Sequence, residues 1–117
     1  MTDHATIWHY PRCSKSRKTL ALLEAADLTV EIRPYQQDPP DAEQLAIVIE
    51  RLGISPRELV RRGDKFFKEL AIDADSLDDQ GWIDLMVEHP RLIERPVVLT
   101  DKGAVIGRPP ERIKEIL

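Results

Sequence analysis

The chain of 117 residues is long enough for one domain that buries roughly two-thirds of its unfolded surface, and its 42% hydrophobic and 32% charged content is ordinary for a globular protein. A net charge of −4 speaks against general nucleic-acid binding, no apolar run reaches membrane-spanning length, and a single cysteine excludes an internal disulfide. With neither the basic stretch nor the apolar run of a secretory leader at its start, the expectation is a cytoplasmic protein that binds neither nucleic acid nor membrane.

Ala5 to His9 reads as a short buried strand broken by Tyr10-Pro11. A helix follows from about Ser14, with Leu20, Leu23 and Ala26 at helical spacing. Leu28 to Arg33 alternates, putting Leu28, Val30 and Ile32 on one face, which predicts a strand and hence a parallel βαβ unit. The middle is helical. Asp41 and Gln44 form a capping box ahead of Leu45, Val48, Ile49 and Leu52, and Gly53 ends that helix. Ser55-Pro56-Arg57-Glu58 starts a short helix that Gly63 stops. Asp64 caps the next, burying Phe66 or Phe67 and Leu70, and a further helix from about Ser76 to Glu88 turns Ile83, Met86 and Val87 inward. Strand character returns over Pro96–Thr100. Asp101-Lys102-Gly103 reads as a three-residue hairpin loop with Gly103 in the left-handed position, and Ala104 to Ile106 is the returning strand. Pro109-Pro110 opens a terminal helix holding Ile113, Ile116 and Leu117. The whole is one α/β domain, residues 1–117, ordered βαβ, helices, ββα.

The lone thiol lies where the first strand hands over to the first helix, among Arg12, Lys15, Arg17 and Lys18. Unpaired N–H groups and the positive end of the helix dipole favour thiolate over thiol there. Such settings bring a cysteine from about 8.5 down to ~3.5–7.5, so Cys13 is the candidate nucleophile, and the same N–H groups can cradle an oxyanion. His9 is either a hydrogen-bonded core residue or a group that orders the loop and stabilises the thiolate, directly or through Ser16. Arg17, one turn into the helix on roughly Cys13's side, is placed to contact the sulfur or a bound anion. Lys18, Arg33 and Arg112 read as plain solvated charges. There is no metal-ligand spacing and no phosphate-loop or dinucleotide glycine pattern, so no bound metal or cofactor is expected.

His9-x3-Cys13-x3-Arg17 resembles the active-site motif of the glutaredoxin-dependent arsenate reductase family. The resemblance continues through Tyr35-x4-Pro39-Pro40, Gly53-Ile54-Ser55-x5-Arg61, Glu94-Arg95-Pro96-Val97-Val98 and Ile106-Gly107-Arg108-Pro109, essentially the whole chain. It implies a thioredoxin/glutaredoxin-like sheet with a helical insertion at about residues 41–92, and Pro96 as the cis-proline facing the nucleophile. It also implies that Arg61, Arg95 and Arg108 gather around the cysteine to bind arsenate and its arsenite product. The activity implied is reduction of arsenate to arsenite with glutathione as co-substrate and glutaredoxin as partner. Intermolecular resolution agrees with the composition, since no second cysteine is present. The pocket rim departs from the family: Tyr10-Pro11-Arg12 stands where arsenate-reducing members tend to read Asn-Pro-Ala, and Ser14-Lys15-Ser16 where they tend to read Gly-Thr-Ser. Two rival functions follow from the same residues. One is a glutathione-dependent thiol reductase of monothiol-glutaredoxin style, since Cys13-Ser14-Lys15-Ser16 is a Cys-x-x-Ser. The other is a regulator that binds RNA polymerase, as relatives with a Cys-x-x-Cys switch do, a switch that Ser16 removes.

Overall fold

The computed structural model describes residues 3–117, so residues 1 and 2 of the expected domain lie outside the described residues. Its elements are β1 (His4–Trp8), α1 (Ser14–Ala25), β2 (Thr29–Arg33), α2 (Ala42–Leu52), α3 (Pro56–Leu59), α4 (Lys65–Glu69), α5 (Asp79–Glu88), β3 (Val97–Thr100) and β4 (Gly103–Ile106), with 3₁₀ turns at Ala74–Ser76, Pro90–Leu92 and Pro110–Ile116. The chain divides into two units: a sheet unit of the described residues up to Asp38 with Arg95–Leu117, and a helical unit, Pro39–Glu94.

In the sheet unit the strand order is β2-β1-β3-β4. β1 and β2 run parallel, with Trp8 opposite Arg33, while β3 is antiparallel to both β1 and β4. This is the expected thioredoxin-like βαβ…ββα arrangement. Its core is Ala5, Ile7, Leu23, Val98, Val105, Ile113 and Ile116. Burial of each large aliphatic side chain contributes about 1.5–3 kcal/mol. Thr100 closes the terminal segment onto β3 by donating from Oγ1 to the Ile116 carbonyl at 2.7 Å.

Several local expectations are corrected. β1 ends at Trp8, so His9 lies just past the strand, where its N–H donates to the Arg33 carbonyl at 2.8 Å. Ile32 is 49% exposed, because β2 is an edge strand without a neighbour beyond it. Arg33 is not a plain solvated charge: it lies 5.6 Å over the Trp8 ring and 3.5 Å from Asp38. Gly103 begins β4 paired with Thr100, so the hairpin closes on Asp101-Lys102 with Gly103 at φ 159°, outside the left-handed helical position. The terminal helix is 3₁₀ in form, Pro110–Ile116, and repeats every three residues to bury Pro110, Ile113 and Ile116.

The helical unit is built around its caps. Asp41 and Gln44 complete the capping box of α2, and Gly53, at φ 69°, takes the left-handed conformation that ends it. Asp64 accepts from the Phe66 N–H at the start of α4, and Asp78 from the Gly81 N–H at the start of α5, which begins later than the spacing predicts. Leu45, Val48, Ile49, Leu59, Phe67, Trp82, Ile83 and Met86 are buried, with Phe67 stacked on Trp82 at 6.1 Å. Phe66 remains partly exposed and stacks edge-on against His89. Val87, expected inward, is 38% exposed, so α5 turns Trp82, Ile83 and Met86 to the core instead. No helix among the described residues is long and apolar enough to cross a membrane.

Candidate active site

Cys13 is the N-cap of α1, in extended conformation at φ −94° and ψ 122°. A tight turn brings it there, its N–H donating to the Tyr10 carbonyl at 3.0 Å. The sulfur makes no ideal capping hydrogen bond, yet the N–H groups of Ser16 and Lys15 still lie near enough to favour its anion. Burial pushes the thiol up, but the Ser16 N–H, the Arg95 guanidinium and the Lys15 N–H outweigh it, and the Cys13 pKa falls below its ordinary value. Cys13 is half-buried and free.

Two arginines from the far end of the chain reach this sulfur. Arg108 Nη1 lies 3.9 Å from Cys13 Sγ and donates to the Arg95 carbonyl at 3.2 Å. Burial works against the charge of Arg95, but its hydrogen bonds to Cys13 and Tyr35 and their electrostatic pull raise its pKa overall. The Arg95 guanidinium also lies 4.9 Å over the Tyr10 ring. The Arg95–Pro96 and Arg108–Pro109 peptide bonds are both cis.

His9 and Ser16 fix the loop from behind. His9 Nδ1 lies 2.6 Å from Ser16 Oγ, and that oxygen accepts from the Tyr10 N–H at 3.1 Å. The hydroxyl has a second lone pair and one proton, so it bonds to His9 Nδ1 in either ring tautomer. Burial lowers the His9 pKa, the Arg17 charge lowers it further, and Glu24 opposes both weakly. His9 therefore braces Ser16, whose N–H faces the sulfur, and burial and Arg17 work against a cationic ring there. Arg17, expected on Cys13's side, donates from Nη1 to the Pro11 carbonyl at 2.8 Å and so holds the loop.

Arg61 belongs to the helical unit. There its Nη1 donates to Glu94 Oε1 at 2.9 Å, and its Nε lies 3.6 Å from Asp64 Oδ2. Asp64 also faces Arg91 at 3.4 Å. Among the described residues no group of three or more His, Cys, Asp or Glu side chains is arranged to hold a metal ion.

Residues 8–116 match the model of the ArsC family. The chain belongs to the ArsC family. It is 43% identical over 118 residues to the uncharacterized protein YfgD of Escherichia coli (strain K12), covering 100% of this chain and 99% of that protein. It is 41% identical over 112 residues to an arsenate reductase of Neisseria meningitidis serogroup A, covering 95% and 96%. The solved structure of an arsenate reductase from Vibrio cholerae superposes with a TM-score of 0.94 at 39% identity, covering 100% of both chains.

Within this ArsC domain three residues bear on the site in ways the sequence reading missed. Tyr10, read only as a strand breaker and a departure from the family, carries Arg95 on its ring. Tyr35 is fully buried and hydrogen-bonded to Arg95. Its signal was its place just after β2, whose end lies beside that of β1. Gly107 has no room for a side chain: a Cβ there would stand 2.7 Å from Thr19 Oγ1 and 2.9 Å from Pro96 Cγ. Its N–H donates to the Pro96 carbonyl at 2.8 Å, which sets the course of the chain into Arg108.

Proposed function

We propose that this ArsC protein reduces arsenate to arsenite, with Cys13 as nucleophile and glutathione and glutaredoxin as the source of electrons. The observation that carries the reading is the convergence of Arg95 and Arg108 on a cysteine whose sulfur faces the start of a helix. Planar guanidinium groups suit an oxyanion with several charged oxygens, and backbone N–H groups add donors that need no reorganisation. The names of the Neisseria and Vibrio relatives point the same way. Arg61, which the family motif implies as a further anion-binding arginine, is engaged by Glu94 and Asp64 within the helical unit.

The Cys13 thiolate attacks arsenic and one arsenate oxygen leaves as water, giving a sulfur–arsenic ester. A glutathione sulfur then bonds to the Cys13 sulfur. The sulfur–arsenic bond breaks with its electron pair left on arsenic, which falls from As(V) to As(III) as two thiols become one mixed disulfide. Glutaredoxin takes the glutathionyl group and returns Cys13 to the thiolate. The test is a coupled assay of purified protein with arsenate, glutathione and glutaredoxin, following NADPH through glutathione reductase. Arsenate-dependent NADPH consumption that vanishes in Cys13→Ser supports the reading. A wild type that ignores arsenate but reduces glutathione mixed disulfides replaces it with the monothiol-reductase function.

A further inference from the structure

The strand register gathers four long side chains at one end of the sheet. Trp8 of β1 pairs with Arg33 of β2 and with Val97 of β3, and Val97 pairs with Ile106 of β4. These four residues form one row across the order β2-β1-β3-β4. β1, β2 and β4 leave the row toward the same end, and β3 enters it from there. The residues two positions beyond the row are therefore Tyr35, Tyr10, Arg95 and Arg108. The two arginines reach Cys13, and the two tyrosines have no part in the chemistry written above.

Both tyrosines meet Arg95. Its guanidinium lies 4.9 Å over the Tyr10 ring, within the reach of cation–π attraction. Tyr35 is hydrogen-bonded to it, and since a guanidinium only donates, the Tyr35 hydroxyl oxygen accepts. That oxygen also accepts from Gln36 Nε2 at 3.2 Å, and the Tyr35 side chain is fully buried, so the hydroxyl has a fixed place. Tyr10 is only partly buried and is fixed through its main chain. Its N–H donates to Ser16 Oγ at 3.1 Å, and its carbonyl accepts from the Cys13 N–H at 3.0 Å. One residue thus anchors the nucleophile's loop by its backbone and Arg95 by its ring.

We propose that Tyr35 and Tyr10 are positioning residues that clamp the Arg95 guanidinium against the Cys13 sulfur. The inference rests on the proposed function only in taking Cys13 as the reacting sulfur. An arginine side chain has many rotamers, and a clamp moves the cost of ordering it from the reaction into folding. The manner of holding matters as well. A phenol oxygen and a ring face grip a guanidinium through a dipole and a quadrupole, so its positive charge still acts on the sulfur or on an oxyanion. The two tyrosines work through different atoms, the hydroxyl at Tyr35 and the ring face at Tyr10. The same change to phenylalanine must therefore have opposite results at the two positions.

The test is the rate of Cys13 alkylation by iodoacetamide, a neutral reagent, against pH. Loosening Arg95 withdraws stabilisation from the thiolate, so the midpoint rises. Tyr35→Phe should raise it part of the way to the value in Arg95→Ala, and so should Tyr10→Leu. Tyr10→Phe keeps the ring face and should restore the wild-type midpoint that Tyr10→Leu loses. In an Arg95→Ala background neither Tyr35→Phe nor Tyr10→Leu should raise the midpoint further, because the group they act through is gone. A general loosening of the loop would instead move the midpoint in both backgrounds. A raised midpoint in Arg95→Ala beside wild-type midpoints in Tyr35→Phe and Tyr10→Leu overturns the clamp and leaves the reading of Cys13 standing. Tyrosine effects that persist undiminished without Arg95 also overturn it. An unmoved midpoint in Arg95→Ala overturns the clamp together with the role of Arg95 at the sulfur.

Discussion

The two units of this protein use arginine in opposite ways. In the sheet unit Arg95 and Arg108 meet a sulfur, and no carboxylate is among the groups that set the Cys13 pKa. In the helical unit Arg61 meets Glu94 and Asp64, which neutralise it locally. The residue type is the same, and the difference lies in what stands opposite the guanidinium. A carboxylate makes an ion pair, here largely buried, that uses the charge to hold the segment together. A thiol beside a helix start has its pKa lowered, and the same charge then favours the sulfur's anionic form.

The largest expected effect breaks the sheet unit's side of that contrast. Cys13→Ser should abolish arsenate reduction while leaving the thermal unfolding midpoint close to that of wild type, because a hydroxyl of similar size cannot form the mixed disulfide. Turnover by the serine variant in the coupled assay would discard the nucleophile. Next come Arg95→Lys and Arg108→Lys, which keep the charge but lose the planar fork. A charge-assisted hydrogen bond contributes about 1.5–3 kcal/mol, so each should lower kcat/KM for arsenate roughly ten- to a hundred-fold. Wild-type kinetics in both variants would remove the anion site.

Gly107→Ala tests how the arginine is delivered. The added methyl must displace Thr19 or Pro96, and such overpacking typically costs about 1–3 kcal/mol, read as a lower midpoint in urea unfolding. Unchanged stability would mean that the chain before Arg108 has slack. The smallest effect is expected from the helical unit. The amides and the arginine that lower the Cys13 pKa all belong to the sheet unit, so Arg61→Ala should leave the pH midpoint of Cys13 alkylation in place. A clear shift would erase the contrast between the two regions.

Much of the fold was legible because its signals are local. The capping box at Asp41 and Gln44, the alternation through Leu28–Arg33 and the Tyr10-Pro11 break are each written within a few residues. What failed needed a neighbour to be known. Ile32 alternates correctly, but only the strand order says that β2 has an open edge. Val87 keeps helical spacing, yet α5 is rotated to bury Trp82. In the site, Cys13 was readable from its place at a helix start, but the charged groups that reach its sulfur are Arg95 and Arg108, which only the family resemblance pointed to, while Arg17 turns to the Pro11 carbonyl. The support of Arg95 by Tyr10 and Tyr35 was not readable, since those partners lie far from residue 95 in sequence and no propensity links them.

The central claim is that local groups of the sheet unit hold Cys13 as a thiolate, and alkylation rate against pH tests it most directly. A lowered pKa keeps the reactive anion populated to lower pH, so the rate should fall only as pH drops through a midpoint below the free-thiol value of about 8.5. In Arg95→Ala that midpoint should move up, because one of the groups that outweigh burial has been removed. The expected result is a depressed midpoint in wild type and a higher one in the variant. A wild-type midpoint at or above about 8.5, or an identical midpoint in Arg95→Ala, would contradict it.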